Sequence, residues 1–362
     1  MPLSNFKATN IPWRSHIDTP SVVIDLDVVE RNLVRGAELA RSMGVHFRPH
    51  IKTHKIPAFA QAQMMLGARG ITAQKISEAE VMADAGIEDI LISFNILGQK
   101  KLDRLRALAA RVNVQTVADN PTVIEGLSAA FSTAAKPLGV LIEIDGGLSR
   151  CGVSDIELAV ALARKTEDAP GLTFAGFMVY PAPGAWWEAQ HFLTSCGSAS
   201  SAAGLTPSVL SSGGSPDMPQ VRANENLTEY RAGSYIYNDR SLVACGASDV
   251  RDCALTVFTT VVSTPTASRA ITDAGSKSLS SDLFGLEGYG MVRDRPDATV
   301  FALSEEHGHL RFPENKRPNV GEQLCIIPNH ACVISNLVDH VQFVRGEFWV
   351  CEQRVEARGT VL

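Results

Sequence analysis

Two lysines, three histidines and one arginine fall within ten consecutive residues, His46-Phe-Arg-Pro-His-Ile-Lys-Thr-His-Lys55. Phe47 and Ile51 are β-compatible and Pro57 stands just beyond, so the run reads as a strand end. Strand ends of α/β folds are where chemistry is placed. A lysine there, desolvated or crowded by other cations, can serve as a Schiff-base residue. A basic strand end that binds phosphate or faces solvent is the competing reading of the local composition.

Three further groups can join it. Ser211-Ser-Gly-Gly-Ser-Pro216 is a glycine-rich turn whose backbone N–H groups can cradle a phosphate, with Gly233 and Ser234 of Tyr230-Arg-Ala-Gly-Ser-Tyr235 able to complete the cup. Asp145-Gly-Gly-Leu-Ser-Arg-Cys-Gly152 brings Arg150, and Phe177-Met-Val-Tyr-Pro181 brings Tyr180, an aromatic able to hold a flat ring. Pro328-Asn-His-Ala-Cys-Val333 sets His330 and Cys332 two apart; on a strand they would project to one face. Imidazole plus thiolate suits Zn²⁺ and similar ions, and two protein ligands leave positions for water or substrate. A packed cysteine beside a turn histidine is the plainer alternative.

Placing these groups requires a repetitive scaffold. From residue 46 onward, short β-rich runs starting near His46, Ile71, Ile90, Val114, Leu138, Thr173, Ser208 and Thr228 alternate with helical runs over 77–85, 100–110, 121–131 and 155–165. Ser77, Asn120 and Ser154 are the expected N-caps. The segment 195–205 is a weak helix candidate, rich in Ser and Gly. Eight strands with intervening helices make a (β/α)8 TIM-type barrel, with a doubly wound open sheet as the alternative. The glycine-rich turn then follows the seventh barrel strand, where barrels commonly bind phosphate. Beyond about residue 245, β runs beginning at Ala254, Ala270, Gln323, His340 and Glu347 predict a mostly β domain. Ser21-Val-Val-Ile-Asp-Leu26 is one strand too many for the barrel and is expected to join that domain. The expected division is therefore 28–245 for the barrel, and 1–27 with 246–362 for the β domain.

At 362 residues the chain can bury two cores. A net charge of −6 argues against general nucleic-acid binding. No apolar run of membrane-spanning length and no signal-peptide core are present, so no membrane partner is expected. Seven cysteines without CxxC spacing suggest free thiols in a reducing, cytoplasmic setting.

In order, these segments resemble the D-threonine aldolase and D-serine dehydratase group of pyridoxal-phosphate enzymes, with the alanine-racemase-like fold. The resemblance covers nearly the whole chain. Its carriers are Asp18-Thr-Pro-Ser21, Arg48-Pro-His-Ile-Lys-Thr-His-Lys55, Gln74-Lys-Ile-Ser-Glu-Ala79, Arg150-Cys-Gly-Val153, Arg231-Ala-Gly-Ser-Tyr235, Asp273-Ala-Gly-Ser-Lys277, Glu305-Glu-His-Gly308 and Pro328-Asn-His-Ala-Cys332. It implies pyridoxal 5'-phosphate on Lys52 rather than Lys55, with Arg150, Tyr180, Gly214, Ser215, Gly233, Ser234 and Tyr235 around ring and phosphate. It implies a divalent metal (Zn, Mn or Co) at His330 and Cys332, a small D-β-hydroxy-amino acid as substrate, and a homodimer with sites completed across its interface. The soft Cys332 ligand shifts the expected metal toward zinc. Gln74–Ala79 and Arg150–Val153 resemble the aldolase branch, whereas the HxC pair is similar to that of D-serine dehydratase. The favoured expectation is retro-aldol cleavage to glycine and an aldehyde. The alternatives are dehydration to a 2-oxo acid and ammonia, then racemisation, then a non-enzymatic cofactor carrier. Pro181-Ala-Pro-Gly-Ala-Trp-Trp187 stands where several relatives carry a histidine-bearing loop, so no histidine role is carried over from there.

Overall fold

The structure is a computed structural model describing residues 2–221 and 226–362. It divides into two compact units. One comprises Gly36–Lys52, Ala60–Gly233 and Thr360–Leu362; the other comprises Met1–Arg35, Thr53–Phe59 and Ser234–Gly359.

The first strand of the chain, β1 (Ser21–Asp25), belongs to the second unit. The first unit holds β2 (His46–Phe47), β3 (Ile71–Ala73), β4 (Asp89–Ile92), β5 (Asn113–Ala118), β6 (Leu138–Ile144), β7 (Leu172–Val179), β8 (Val209–Ser212) and β9 (Glu229–Tyr230). These pair in the order β2-β9-β8-β7-β6-β5-β4-β3, every pair parallel. A parallel bridge between His50 and Thr72 joins the β2 segment to β3. A doubly wound sheet would leave two free edges; here the two ends meet and the sheet curls into the expected barrel. Helices Ile76–Asp84, Gln99–Ala109, Pro121–Phe131, Ile156–Asp168 and Trp186–Ala202 separate the strands. Leu91, Val117, Leu141, Ala175, Met178 and Val209, from five strands or their flanks, pack as one apolar layer.

Local chemistry sets the helix starts. Asn120 caps its helix by accepting the Val123 N–H at 3.0 Å, as expected. The cap expected at Ser154 is Asp155, which accepts from Leu158 N, since its carboxylate lies one residue nearer the first helical turn. Ser77 lies inside its helix, where its hydroxyl donates to Leu362 O; Glu78 instead takes the Gln74 and Lys75 N–H groups. The weak segment 195–205 is largely helical, because Cys196, Gly197 and Ser200 are buried in the helix Trp186–Ala202, and burial overrides their poor propensity.

In the second unit β1 pairs antiparallel with β10 (Leu255–Thr266) and, as the sequence suggested, finds its partners outside the barrel. The unit continues with β11 (Arg269–Thr272), β12 (Met291–Val292), β13 (Thr299–Leu303), β14 (Gly308–Arg311), β15 (Gln323–Ile327), β16 (His340–Arg345) and β17 (Phe348–Arg354). β16 takes the other edge of β1 in parallel. Strands β12, β13 and β14 were not expected; they are short, and turns dilute their alternation. Trp13, Ile17, Val23, Phe258, Cys325 and Val344 form an apolar cluster of this unit. Two of the sequence motifs meet here: Asp273 accepts from Thr19 Oγ1 and Thr259 Oγ1, each at 2.6 Å, and so fixes the N-terminal strand.

Candidate active site

Each unit carries part of the expected chemistry. In the barrel unit, Lys52 lies in a single 3-10 turn, Ile51–Thr53, that follows β2. Its backbone N–H donates to His50 Nδ1 at 3.3 Å. That leaves His50 Nε2 facing Gln74 Oε1 at 3.2 Å, and Gln74 Nε2 donates to Ser93 O at 3.0 Å. His50 therefore fixes the backbone at the lysine from the strand end. Lys55 has a different task. It belongs to the second unit, adopts φ 56°, is buried, and its ammonium donates to Asn336 Oδ1 and Ala357 O of that same unit.

At the ends of β6 and β7, the Arg150 guanidinium stands 5.5 Å from the centre of the Tyr180 ring. Gly146 permits this approach, since a Cβ there would lie 2.1 Å from the Tyr180 carbonyl oxygen. After β8, Gly213 has φ +114°, and a Cβ on it would meet the Tyr230 ring at 2.4 Å. The Tyr230 hydroxyl donates to Gly214 O at 2.7 Å, and Ser215 opens a short 3-10 turn. Glycine at 213 and 214 lets the Tyr230 and Tyr180 rings lie directly against this turn, and a glycine-rich turn of this kind suits an anion such as a phosphate.

Below the strand ends runs a buried polar ladder. Arg48 Nε donates to Glu229 Oε2 at 2.6 Å, Ser211 Oγ donates to Glu229 Oε1 at 2.7 Å, and Arg231 Nε donates to Ser211 Oγ at 2.8 Å. Arg231 also donates to Val179 O, the residue before Tyr180, at 2.5 Å. The ladder ties the ends of β2, β8 and β9 to the residue that precedes Tyr180.

Two carboxyls near this region are buried. Burial pushes Glu143 up to about 7, against the pull of Arg150 and Arg231 and with the push of Asp119 and Asp145. Burial alone takes Asp217 up to about 7. Both values lie above those of the unfolded chain, so the folded form holds protons that the unfolded form has lost. The stability each contributes is complete below about pH 4 and is lost as pH rises through about 7. At about 1.4 kcal/mol per pKa unit, each is worth on the order of 3 kcal/mol. In urea unfolding of cofactor-free protein, Glu143→Gln should therefore flatten the decline in stability between pH 5 and 8. A decline identical to the parent's would remove Glu143 as its source.

In the second unit, His330 and Cys332 come together, but not on a strand as the spacing suggested. β15 ends at Ile327, His330 is the extended N-cap residue, and Cys332 sits in the first turn of the helix Ala331–Leu337. The helix starts here because Asp239, fully buried, accepts the Ala331 N–H at 3.0 Å. The same oxygen lies 3.0 Å from His330 Nδ1. The Phe284 ring stacks on the imidazole at 4.5 Å and 13°. Thr53 Oγ1 lies 3.1 Å and Ser234 Oγ 3.6 Å from Cys332 Sγ. Burial opposes a charged His330, but Cys332 and Asp239 outweigh it and lift the imidazole to about 10, while His330 holds Asp239 below its ordinary value despite burial. A metal would have to displace that proton. Among the described residues no group of three or more His, Cys, Asp or Glu side chains could hold a metal. One imidazole oriented by a carboxylate, with a thiol beside it, does fit an open two-ligand zinc-type site.

Gly233 and Ser234 follow β9, and Tyr235 is buried in a 3-10 turn, Ser234–Ile236. Sequence reasoning assigned no role to Asp239, Glu143, Asp217 or Arg231. Arg231 stood within a quoted motif and Asp239 four residues beyond it, but only folding shows what their side chains meet.

The chain matches two family models: "Alanine racemase, N-terminal domain" over residues 24–241 and "Putative serine dehydratase domain" over residues 254–344. A D-threonine aldolase of an Arthrobacter species is 34% identical over 95% of this chain and 94% of its own length. The crystal structure of D-threonine aldolase from Filomicrobium marinum superposes with a TM-score of 0.87 at 34% identity, covering 96% of this chain and 97% of that one. A D-threo-3-hydroxyaspartate dehydratase, solved with alanine replacing a cysteine and in a metal-free form, superposes with a TM-score of 0.86 at 29% identity, covering 93% and 97%. A companion structure replaces a histidine two positions earlier in that protein. No helix among the described residues is long and apolar enough to cross a membrane. With a closed parallel barrel, a β unit and near full-length similarity, the chain belongs to the alanine-racemase-like family of pyridoxal-phosphate enzymes, in the branch that holds D-threonine aldolase and the D-amino-acid dehydratases.

Proposed function

We propose that this enzyme is a pyridoxal-phosphate- and divalent-metal-dependent lyase that cleaves D-threonine-like β-hydroxy-amino acids to glycine and an aldehyde. One observation carries the reading: an imidazole and a thiol stand together, the imidazole held by a buried carboxylate, in a fold that takes pyridoxal phosphate. A racemase has no need of such a pair. Identity is 34% to a D-threonine aldolase and 31% to a D-threo-3-hydroxyaspartate dehydratase, with 3-hydroxy-D-aspartate aldolases at 30–31%, so the preference for carbon–carbon cleavage rests on the D-threonine aldolase alone.

When bound, pyridoxal phosphate supplies an electron sink for charge developing at Cα, and the metal supplies a Lewis acid for the β-hydroxyl. Lys52 would hold the cofactor through Nζ. Tyr180 and Arg150 hold the flat ring. Gly214, Ser215, Gly233, Ser234 and Tyr235 offer backbone and hydroxyl donors to the phosphate. His330 and Cys332 would hold the metal, zinc by preference for the thiolate. The β-hydroxyl would give its proton to solvent, the Cα–Cβ electron pair would pass to Cα as the aldehyde departs, and a proton returned from solvent to Cα would leave glycine.

Cys332 favours a second reading, dehydration, since the solved dehydratase was studied with a cysteine replaced and in metal-free form. There Lys52 would take the Cα proton on Nζ and the hydroxyl would leave. Product analysis with D-threonine separates the two. Glycine and acetaldehyde are expected, and a chelator should stop their formation. Appearance of 2-oxobutyrate and ammonia would replace the aldolase by the dehydratase, and turnover untouched by chelation would remove the metal. The family resemblance also supports a cytoplasmic homodimer, which light scattering of the purified 38.9 kDa chain tests for its dimeric part.

A further inference from the structure

One carboxylate touches His330 and the residue that stands between it and Cys332. Asp239 Oδ2 lies 3.0 Å from His330 Nδ1 and 3.0 Å from the Ala331 backbone nitrogen. The first contact fixes the imidazole edge, and the second fixes the turn that carries Cys332. The other oxygen, Oδ1, accepts from Ser241 Oγ at 2.6 Å and from Leu242 N at 3.1 Å, as the N-cap of the helix Arg240–Ala244. The carboxylate is thus locked before any ligand arrives, with no exposed surface. Phe284 closes the face of the imidazole, stacked at 4.5 Å, so the ring is held by edge and by face.

We infer that Asp239 is the positioning residue of a zinc-type centre: it keeps the His330 proton on Nδ1, leaves Nε2 as the ligating lone pair, and sets the imidazole in register with the Cys332 thiolate. This rests on the metal reading given above. A neutral imidazole has one N–H and one lone pair, and the partner of the first decides which nitrogen offers the second. A carboxylate behind a ligating histidine also raises the ring's basicity, and losing such a partner commonly weakens metal binding tenfold to a hundredfold. In Asp239→Asn the negative charge behind Nδ1 is gone in either amide orientation, and the single amide oxygen serves only one of the two sides.

Zinc affinity of the purified enzyme, measured by competition with a chromophoric chelator, tests this. The parent should bind Zn²⁺, and His330→Ala should lose it. Asp239→Asn should bind Zn²⁺ about tenfold to a hundredfold more weakly. Ser241→Ala removes a bond to the opposite oxygen of the same carboxylate, so it reports the structural share; it should bind Zn²⁺ within about threefold of the parent while unfolding earlier. Parent-like affinity in Asp239→Asn overturns the inference and leaves the metal reading standing. A parent that takes up no zinc, or a His330→Ala variant that takes up as much, overturns both. Should Asp239→Asn fail to fold, the ¹⁵N resonances of the zinc-loaded parent decide. A protonated Nδ1 with a metal-shifted Nε2 on His330 is expected, and the reverse assignment overturns the inference.

Discussion

Lys52→Ala is expected to leave a folded protein without the visible absorbance of bound cofactor. Borohydride should fix no label on it, and turnover of D-threonine should fall by about three orders of magnitude or more. The informative comparison is Lys55→Met, three residues away in the same basic run. The Lys55 ammonium is already committed, 3.1 Å from Asn336 Oδ1 and 3.4 Å from Ala357 O, and its left-handed backbone turns it from the line of the strand. Removing it should cost about 1–3 kcal/mol of stability, because the buried Ala357 carbonyl and the half-buried Asn336 amide lose a charged donor. The absorbance should survive. Retained absorbance in Lys52→Ala, or its loss only in Lys55→Met, would move the cofactor to Lys55. Composition treats the two lysines alike; hydrogen bonding separates them.

That contrast marks what the sequence could and could not say. The barrel strands were legible nearly to the residue, from His46 through Ile71 and Leu138 to Thr228, because each is a short β-branched run bounded by turn or helix residues. The helix Trp186–Ala202 was half hidden, since Ser and Gly propensity spoke against a segment whose burial decides for it. The pairing of His330 with Cys332 was right in proximity and wrong in element. A spacing of two brings side chains together on a strand, and here an extended cap followed by one helical turn does the same. Asp239 was beyond reach for a different reason. It lies 91 residues from His330 in sequence, and a carboxylate acquires its meaning from the tertiary contact. Glu143 and Asp217 are hidden likewise: a buried, proton-holding carboxyl is spelled like any other until the fold removes its water.

Arg48→Met should destabilise the barrel by about 3–5 kcal/mol, the largest stability effect expected in the chain. The guanidinium is 1% exposed and bridges Glu229, itself 2% exposed, at 2.6 Å and Asp89 at 2.5 Å. Burial alone would weaken its charged form, but the two carboxylates outweigh burial and hold the guanidinium charged. Methionine keeps the aliphatic stem and removes the charge, so the deficit combines the uncompensated Glu229 with the space left by the guanidinium. One consequence separates this from general disruption. Adding Glu229→Gln to Arg48→Met should recover most of the loss, because a neutral amide can still accept from Ser211 Oγ. A double variant as unstable as the single one would show that the arginine acts by packing alone. The neighbourhood is already filled: a Cβ on Gly70 would stand 2.6 Å from Arg48 Nη1 and 2.4 Å from the Asp89 carbonyl oxygen. No side chain there can move in to replace the lost charge. Because Glu229 is joined through Ser211 and Arg231 to the carbonyl preceding Tyr180, the double variant should regain cofactor affinity together with stability.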